Sequence, residues 1–324
     1  MSIELLNQET VVGYLTRRGL INSPAVVEVL KGGVSNVVLA IETATQEYVM
    51  KQALPELRVA TKWKVDQRRA IVEANAMKLL CQITPESVPE LVDFDPSEFT
   101  LTMIRLPKSD TNWKVDMLEG RIHPSIGADL GIILAKWHNF GATHPNARAD
   151  FMEDSLFDQL RVTPFYRAVA AKNPDLEPLI SQLLKEITTV KATLVHGDFS
   201  PKNIMVSTDL RPIILDFEVM HTGNPVFDIA FLCAHLLCKK LRSSSRVERD
   251  GLVETTYAFL SAYQSLVIIP VSPSFAHHVA VIALARVEGV SPVNYLDEAG
   301  KVRVQELTKT ILRNPSATIE ELLK

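Results

Sequence analysis

The spacing of hydrophobic and polar residues changes period along the chain. Residues 26–30 (VVEVL) form a short β-branched run. KGGVSN (31–36) separates it from VVLAIETA, and a turn separates that from EYVMKQAL. Val- and Ile-rich runs punctuated by glycine and polar residues predict strand, loop and strand. Over 65–81 (VDQRRAIVEANAMKLLC) the period becomes helical, with Ile71, Ala74, Met77 and Leu80 or Cys81 on one face. ELVDF (90–94) and FTLTMI (99–104), joined by an Asp-Pro-Ser turn, predict two more strands. RLPKSD (105–110) has the polar, proline-containing character of a linker.

Beyond the linker the pattern is mostly helical. SIGADLGIILAKWHNF (125–140), DLEPLISQLLKEI (175–187) and PVFDIAFLCAHLL (225–237) predict helices. The remainder is helical, with breaks at Pro270, Pro273, Gly289, Pro292 and Pro315. ATLVHGD, NIMVS and PIILDFE, between the second and third helices, read as short buried strands. A β-rich first lobe (1–106) followed by a mainly helical second lobe (107–324) with a small embedded hairpin is a two-lobed α+β design. The chain shows no internal repeat and no low-complexity stretch.

Composition narrows the function. Hydrophobic residues are 47% of the 324, charged residues 22%, and the net charge is −4. No basic run speaks for nucleic acid. No apolar run of membrane-spanning length occurs, and MSIELLNQET has neither signal- nor transit-peptide character, so a cytoplasmic protein is expected. The three cysteines, Cys81, Cys233 and Cys238, are too sparse for a disulfide framework. Cys233, His235 and Cys238 lie in FLCAHLLCKK, which reads as a buried helix and not a zinc site, and His277 and His278 read as ordinary histidines.

The chemistry concentrates in LVHGDFSPKNIMVSTDLRPIILDFE (194–218). Asp198 and Asn203 straddle a loop containing Pro201. NIMVS follows as a strand, and after a turn at Thr208–Asp209 the strand PIIL leads into Asp216. A tight hairpin brings Asn203 near Asp216, with Asp198 on the loop just before. Singly, these residues read as a loop aspartate, an Asx-turn former and a strand-end cap. Together, two oxygen donors beside a third carboxylate suit a hard cation such as magnesium, the arrangement phosphoryl transfer needs.

H-x-D-x-x-x-x-N followed by Asp-Phe resembles the catalytic core of the protein-kinase-like superfamily. HGDFSPKN in place of H-R-D, and GNPVFDIA (223–230) after the metal aspartate, resemble its aminoglycoside phosphotransferase and choline kinase branch. DFE (216–218) stands where protein kinases carry D-F-G. The resemblance implies a protein-kinase-like fold with a β-rich N-lobe and a helical C-lobe. It implies an ATP- and Mg2+-dependent kinase for a small hydroxyl-bearing metabolite or aminoglycoside-like acceptor. Asp198 then corresponds to the catalytic base, and Asn203 and Asp216 to the metal ligands. Asp228 corresponds to a brace of the catalytic loop, or is a plain helix N-terminal charge. Glu218 is a neighbour of the metal site. Lys202 either neutralises the transferred phosphoryl group or is a solvated loop lysine.

The first lobe holds the nucleotide-binding parts in order. Gly32 and Gly33, with Ser35 and Asn36, resemble the family's G-G-x-S-N loop, whose backbone approaches phosphate. Lys51 on the third strand and Glu73 in the following helix correspond to the lysine–glutamate pair that aims at the phosphates. The alternative for Lys51 is a snorkelling edge-strand lysine, but its position relative to the loop and the helix favours the functional role. Met103, Ile104 and Arg105 stand where adenine meets backbone.

ARVEGVSPVNYL (285–296) resembles an R-x-x-G-x-S-P-x-x-Y-L stretch of the family and makes Arg286 and Tyr295 candidates for acceptor contacts or for helix packing. Trp137–His138 resembles the family's L-H pair, a structural feature. Scattered acids do not build the pocket a polycationic antibiotic wants. Aromatics at 6% do not build a choline cage. A sugar or other neutral or anionic alcohol is therefore expected, methylthioribose among them, although the retained Asn203 departs from that kinase pattern. No nucleic-acid or membrane partner is expected, and the chain is read as a monomer or homodimer. A catalytically inactive nucleotide binder would lack Lys51, Asp198, Asn203 or Asp216, and all are present. A protein kinase would carry H-R-D, D-F-G and an A-P-E-like segment, and none is present.

Overall fold

The computed structural model describes residues 4–30, 35–58, 64–290 and 292–324. The chain forms two compact units, Met1–Lys108 and Ser109–Lys324, so the division falls two residues beyond the expected 106/107.

The first unit is an antiparallel five-stranded sheet in the order β1-β2-β3-β5-β4. Its strands are β1 (Val26–Val29), β2 (Asn36–Glu42), β3 (Glu47–Ala53), β4 (Leu91–Asp95) and β5 (Thr100–Ile104). Side chains alternate across a strand, and β3 uses both faces. Met50 points into a core with Leu39 and Ile41 of β2 and with Val11, Tyr14 and Leu15 of α1 (Val11–Arg17). Lys51, one residue on, faces the other way, towards α2 (Arg69–Ile83). Helix α1 was not foreseen: it is seven residues long, too short for its periodicity to stand out. Helix α2 starts at Arg69, not at 65, because residues before it turn on Asp66, whose Oδ1 accepts the Arg68 N–H at 2.9 Å. Its buried face carries Glu73, Ala74, Met77 and Leu80.

The second unit opens with β6 (Thr111–Asn112), α3 (Trp113–Leu118) and α4 (Pro124–Thr143). Short helices α5 (Pro145–Ala149) and α6 (Ser155–Phe157) lead into a π-helical stretch, Asp158–Arg167, and then α7 (Ala168–Lys172) and α8 (Glu177–Thr189). Pro164 lies inside the π stretch, where it supplies no N–H and cannot continue a regular α-helical ladder. Strands β7 (Thr193–Val195), β8 (Ile204–Val206), β9 (Pro212–Ile214) and β10 (His221–Gly223) follow. They form a sheet β6-β8-β9 and a ribbon β10-β7, so the expected hairpin gains a partner at its edge. Helices α9 (Val226–Arg242), α10 (Arg246–Leu266), α11 (Phe275–Glu288), α12 (Glu298–Arg313) and α13 (Ile319–Leu323) complete the unit.

Glycines set the spacing of the helical core. A Cβ on Gly127 of α4 would lie 2.4 Å from the Thr255 carbonyl oxygen of α10, and one on Gly131 would lie 2.4 Å from that of Phe259. The two helices therefore approach backbone to backbone. Helix α9 is buried from Val226 to Lys240, including Cys233, His235 and Cys238. His277 and His278 are buried in α11. No helix of the described residues is long and apolar enough to cross a membrane.

Candidate active site

The hairpin places the expected residues together. Ile204 pairs with Ile214 across β8 and β9, and the Leu215 N–H donates to the Asn203 carbonyl at 2.8 Å. Asn203 and Asp216 thus sit at one end of the hairpin. Asn203 closes a 3-10 turn, Pro201–Asn203, and its Nδ2 donates to the Asp198 carbonyl at 3.1 Å. That bond turns the amide oxygen away from Asp198, free for another partner. Asp216 has φ 70°, a left-handed conformation that costs a non-glycine residue energy and collects at functional sites. A carboxylate oxygen of Asp216 lies within 4.8 Å of one of Glu218.

Asp198 is 2% exposed. Arg161 Nη2 and Lys202 Nζ each lie 2.8 Å from its Oδ2. Burial pushes its carboxyl up and the nearby Asp216 charge adds to that. The Arg161 and Lys202 cations outweigh both and hold it below the ordinary carboxylate range. Asp198 is therefore an anion at neutral pH.

The loop that carries Asp198 is fixed from behind. Asp228, in the first turn of α9 and fully buried, accepts the His196 N–H on Oδ2 at 2.7 Å and the Gly197 N–H on Oδ1 at 2.9 Å. His138 Nε2 stands 3.4 Å from Asp228 Oδ2, and its Nδ1 is 2.7 Å from the Tyr263 hydroxyl. Burial pushes the Asp228 carboxyl up, but His138, His196 and the backbone donors bring it below its usual value. His196 Nδ1 accepts the Asp198 N–H at 3.1 Å, so its Nε2 carries the proton donated to the Leu215 carbonyl at 3.2 Å. Burial lowers its pKa and keeps it neutral. Trp137 lies parallel to the His196 ring (6.5 Å between centroids, 12°), with Phe199 and Phe217 set at steep angles to Trp137. Gly197 has φ 77°, and a Cβ there would meet the Val219 carbonyl oxygen at 2.8 Å.

In the first unit, Lys51 Nζ is 2.7 Å from Glu73 Oε1, both largely buried. Gly32 and Gly33 lie outside the described residues. Ser35 and Asn36 are joined by a 2.9 Å bond from Asn36 Nδ2 to Ser35 Oγ. Arg69 Nη2 holds the Ser35 carbonyl and, at 2.9 Å, that of Leu54. The Ile104 N–H donates to Glu90 O and the Arg105 N–H to Glu47 O, each at 3.0 Å. Those two amides are engaged within the unit. The Arg105 side chain pairs with Glu47 at 3.2 Å and Glu28 at 3.4 Å. Met103 is buried.

Arg286 and Tyr295 stand together in the second unit, where the Val293 N–H donates to the Arg286 carbonyl at 2.8 Å. Arg286 Nε and the Tyr295 hydroxyl are buried without a hydrogen-bond partner among the described residues, as is Ser200 Oγ.

Arg161 was missed at the level of sequence. It lies in the π stretch, 37 residues before Asp198, and besides the ion pair its Nε donates to the Gly197 carbonyl at 2.7 Å. The basic residue in an irregular, proline-containing segment was the only signal. His138 was read as structural, and its contact with Asp228 shows what it supports.

Matches to known proteins agree with this geometry. The family model described as "Phosphotransferase enzyme family" matches residues 26–263. Methylthioribose kinase of Geobacillus kaustophilus is 26% identical over 297 residues, covering 81% of this chain and 74% of that protein. The macrolide 2′-phosphotransferase of Brachybacterium faecium superposes with a TM-score of 0.58 at 18% identity, covering 96% of this chain and all of the other. A spectinomycin phosphotransferase in complex with ADP and spectinomycin superposes with a TM-score of 0.59 at 12% identity over 98% of each chain. With its two α+β units, its HGDFSPKN loop and a family match spanning most of its length, the chain belongs to the phosphotransferase enzyme family.

Proposed function

We propose that the protein is an ATP- and magnesium-dependent kinase that phosphorylates a hydroxyl group of a small molecule, with Asp198 receiving the hydroxyl proton. The observation that carries this reading is the environment of Asp198: a buried carboxylate held ionised by Arg161 and Lys202, both on Oδ2. Oδ1 would accept the hydroxyl hydrogen. Because the carboxylate is weakly basic, its work is to orient the hydroxyl, and the proton moves late in the transfer.

The residues present fit a magnesium ion. Asn203 has an amide oxygen with no donor among the described residues, and Asp216 and Glu218 add hard oxygen donors close together. Asn203 and Asp216 would hold the ion, with Glu218 beside them. Bound there, it would neutralise charge on the nucleotide phosphates. Lys51, aimed by Glu73, would hold the nucleotide's phosphates. Adenine would use carbonyls around Met103–Arg105, since the Ile104 and Arg105 amides are already donated. Lys202 and Arg161 would accommodate charge on the phosphoryl group as it moves. Asp228 is a positioning residue that fixes the loop carrying Asp198.

Asp198→Ala is expected to abolish transfer while binding of a fluorescent ATP analogue persists. Undiminished acceptor-dependent ATP consumption by that variant would refute the assignment.

A further inference from the structure

Three buried or half-buried cations of the second unit converge from three helices. Lys239 Nζ of α9 lies 5.1 Å, and Lys114 Nζ of α3 lies 5.8 Å, from the centroid of the Tyr295 ring. The Arg286 guanidinium of α11 stands 5.4 Å from the Phe165 ring centroid. Lys239 is only 2% exposed. Among the described residues none of these three cations pairs with a carboxylate, in contrast to Arg161 and Lys202. The Arg286 Nε and the Tyr295 hydroxyl are buried with no hydrogen-bond partner among the described residues.

The charges are close enough to act on one another. Burial, partly offset by the Cys238 thiol, and then the cations Lys114, Arg286 and Arg242 push Lys239 down to about 7. Burial and the Lys202 and Arg286 charges lower Lys114. His235, one turn before Lys239, is driven far below its ordinary value by burial and by Arg286, Lys239, Lys202 and Lys114. Asn112, two residues before Lys114, donates from Nδ2 to the carbonyl of Lys202 at 2.8 Å, and Lys202 pairs with Asp198, so the cluster lies near the proposed reaction centre.

Buried cations without counter-charges destabilise a free protein. Lys ammonium, Arg Nε–H and Tyr O–H are all hydrogen-bond donors. What satisfies them together is a group that only accepts and carries negative charge. We propose that this cluster is the acceptor subsite, and that the alcohol phosphorylated carries an oxyanion, a carboxylate or phosphate group, seated among Lys114, Lys239, Arg286 and Tyr295. A cationic acceptor would be repelled there, and a neutral one would leave the donors unpartnered. The reaction rests on the kinase reading above, whereas the anion site does not. In that reaction the alcohol oxygen bonds to the γ-phosphorus, the bond from that phosphorus to the bridging oxygen breaks, ADP leaves with the electron pair, and the hydroxyl proton passes to Asp198.

Two measurements on the full chain test the proposal. The first needs no turnover: thermal unfolding is followed against malonate and against inorganic phosphate, with saturating magnesium ADP present. Wild type should be stabilised by one or both anions, malonate alone marking a carboxylate site and phosphate alone a phosphate site. Arg286→Met and Lys239→Met should each weaken that binding by about 30-fold or more. Arg246→Met, on an exposed stretch of α10, should respond as wild type does. No stabilisation of folded wild type, or undiminished binding in both variants, overturns the subsite.

The second measurement is ATP consumption with hydroxy acids, sugar phosphates, neutral sugars and amino alcohols at equal concentration. Anionic acceptors should be preferred, and the two variants should raise their KM by about 30-fold or more. Preference for a neutral or cationic alcohol overturns the proposal. Anion binding that depends on Arg286 and Lys239, with no transfer to any acceptor, supports the subsite and sinks the kinase reading instead.

Discussion

Replacing Lys239 by methionine should make the free protein more stable. Lys239 is 2% exposed, has no carboxylate partner among the described residues and shares its surroundings with Lys114, Arg286 and Arg242. A fall from the ordinary 10.5 to about 7 corresponds to roughly 4–5 kcal/mol of penalty on the charged form. Relaxation and water penetration reduce that, and exchanging buried charge for apolar side chains of similar volume yields about 1–4 kcal/mol. The pH dependence is the sharper signature. Below pH 7 Lys239 is protonated both folded and unfolded, and the full penalty is present. Between about 7 and 10.5 only the unfolded chain holds the proton, so wild-type stability from this group rises by about 1.4 kcal/mol per pH unit. The advantage of Lys239→Met should therefore be largest at pH 6 and shrink towards pH 10. Urea unfolding of the acceptor-free protein at pH 6, 8 and 10 measures it. A variant less stable than wild type, or a difference that does not change with pH, would refute the reasoning. A stabilised variant with a weakened acceptor site would mean that the lysine is kept for function at the expense of stability.

Asp228→Ala leaves the His196 and Gly197 N–H groups buried without acceptors and should cost about 2–6 kcal/mol of stability. Differential scanning calorimetry measures that loss, and at temperatures where the variant is folded kcat should fall more than KM for ATP rises. Gly127→Ala forces a methyl to within 2.4 Å of the Thr255 carbonyl oxygen and should destabilise the second unit by roughly 1–3 kcal/mol, seen as a lower urea midpoint. Asp198, whose folded pKa is depressed, contributes stability above the ordinary carboxylate value. That contribution is lost as pH falls through its folded value, so Asp198→Asn should flatten the acid limb of the stability profile.

The sequence by itself determined the parts whose geometry is local. Val- and Ile-rich runs punctuated by glycine and polar residues marked the strands that became β1 to β5. A strand, a five-residue turn and a second strand are enough to bring Asn203 beside Asp216, because hairpin register follows from its own hydrogen bonds. Lys51 and Glu73 were legible from their places on a strand and the next helix. Tertiary structure decided what depends on packing between distant segments. Arg161 reaches Asp198 from an irregular helix that no period announces. Lys239 was not singled out in the sequence, and only the packing of α9, buried to Lys240, shows that its charge is enclosed. The meeting of Lys114, Lys239, Arg286 and Tyr295 joins residues up to 181 positions apart. Hydrophobic period records which face of an element is buried. It does not record which charged residue of another element lies opposite, so charge clusters of this kind exist only once the helices have packed.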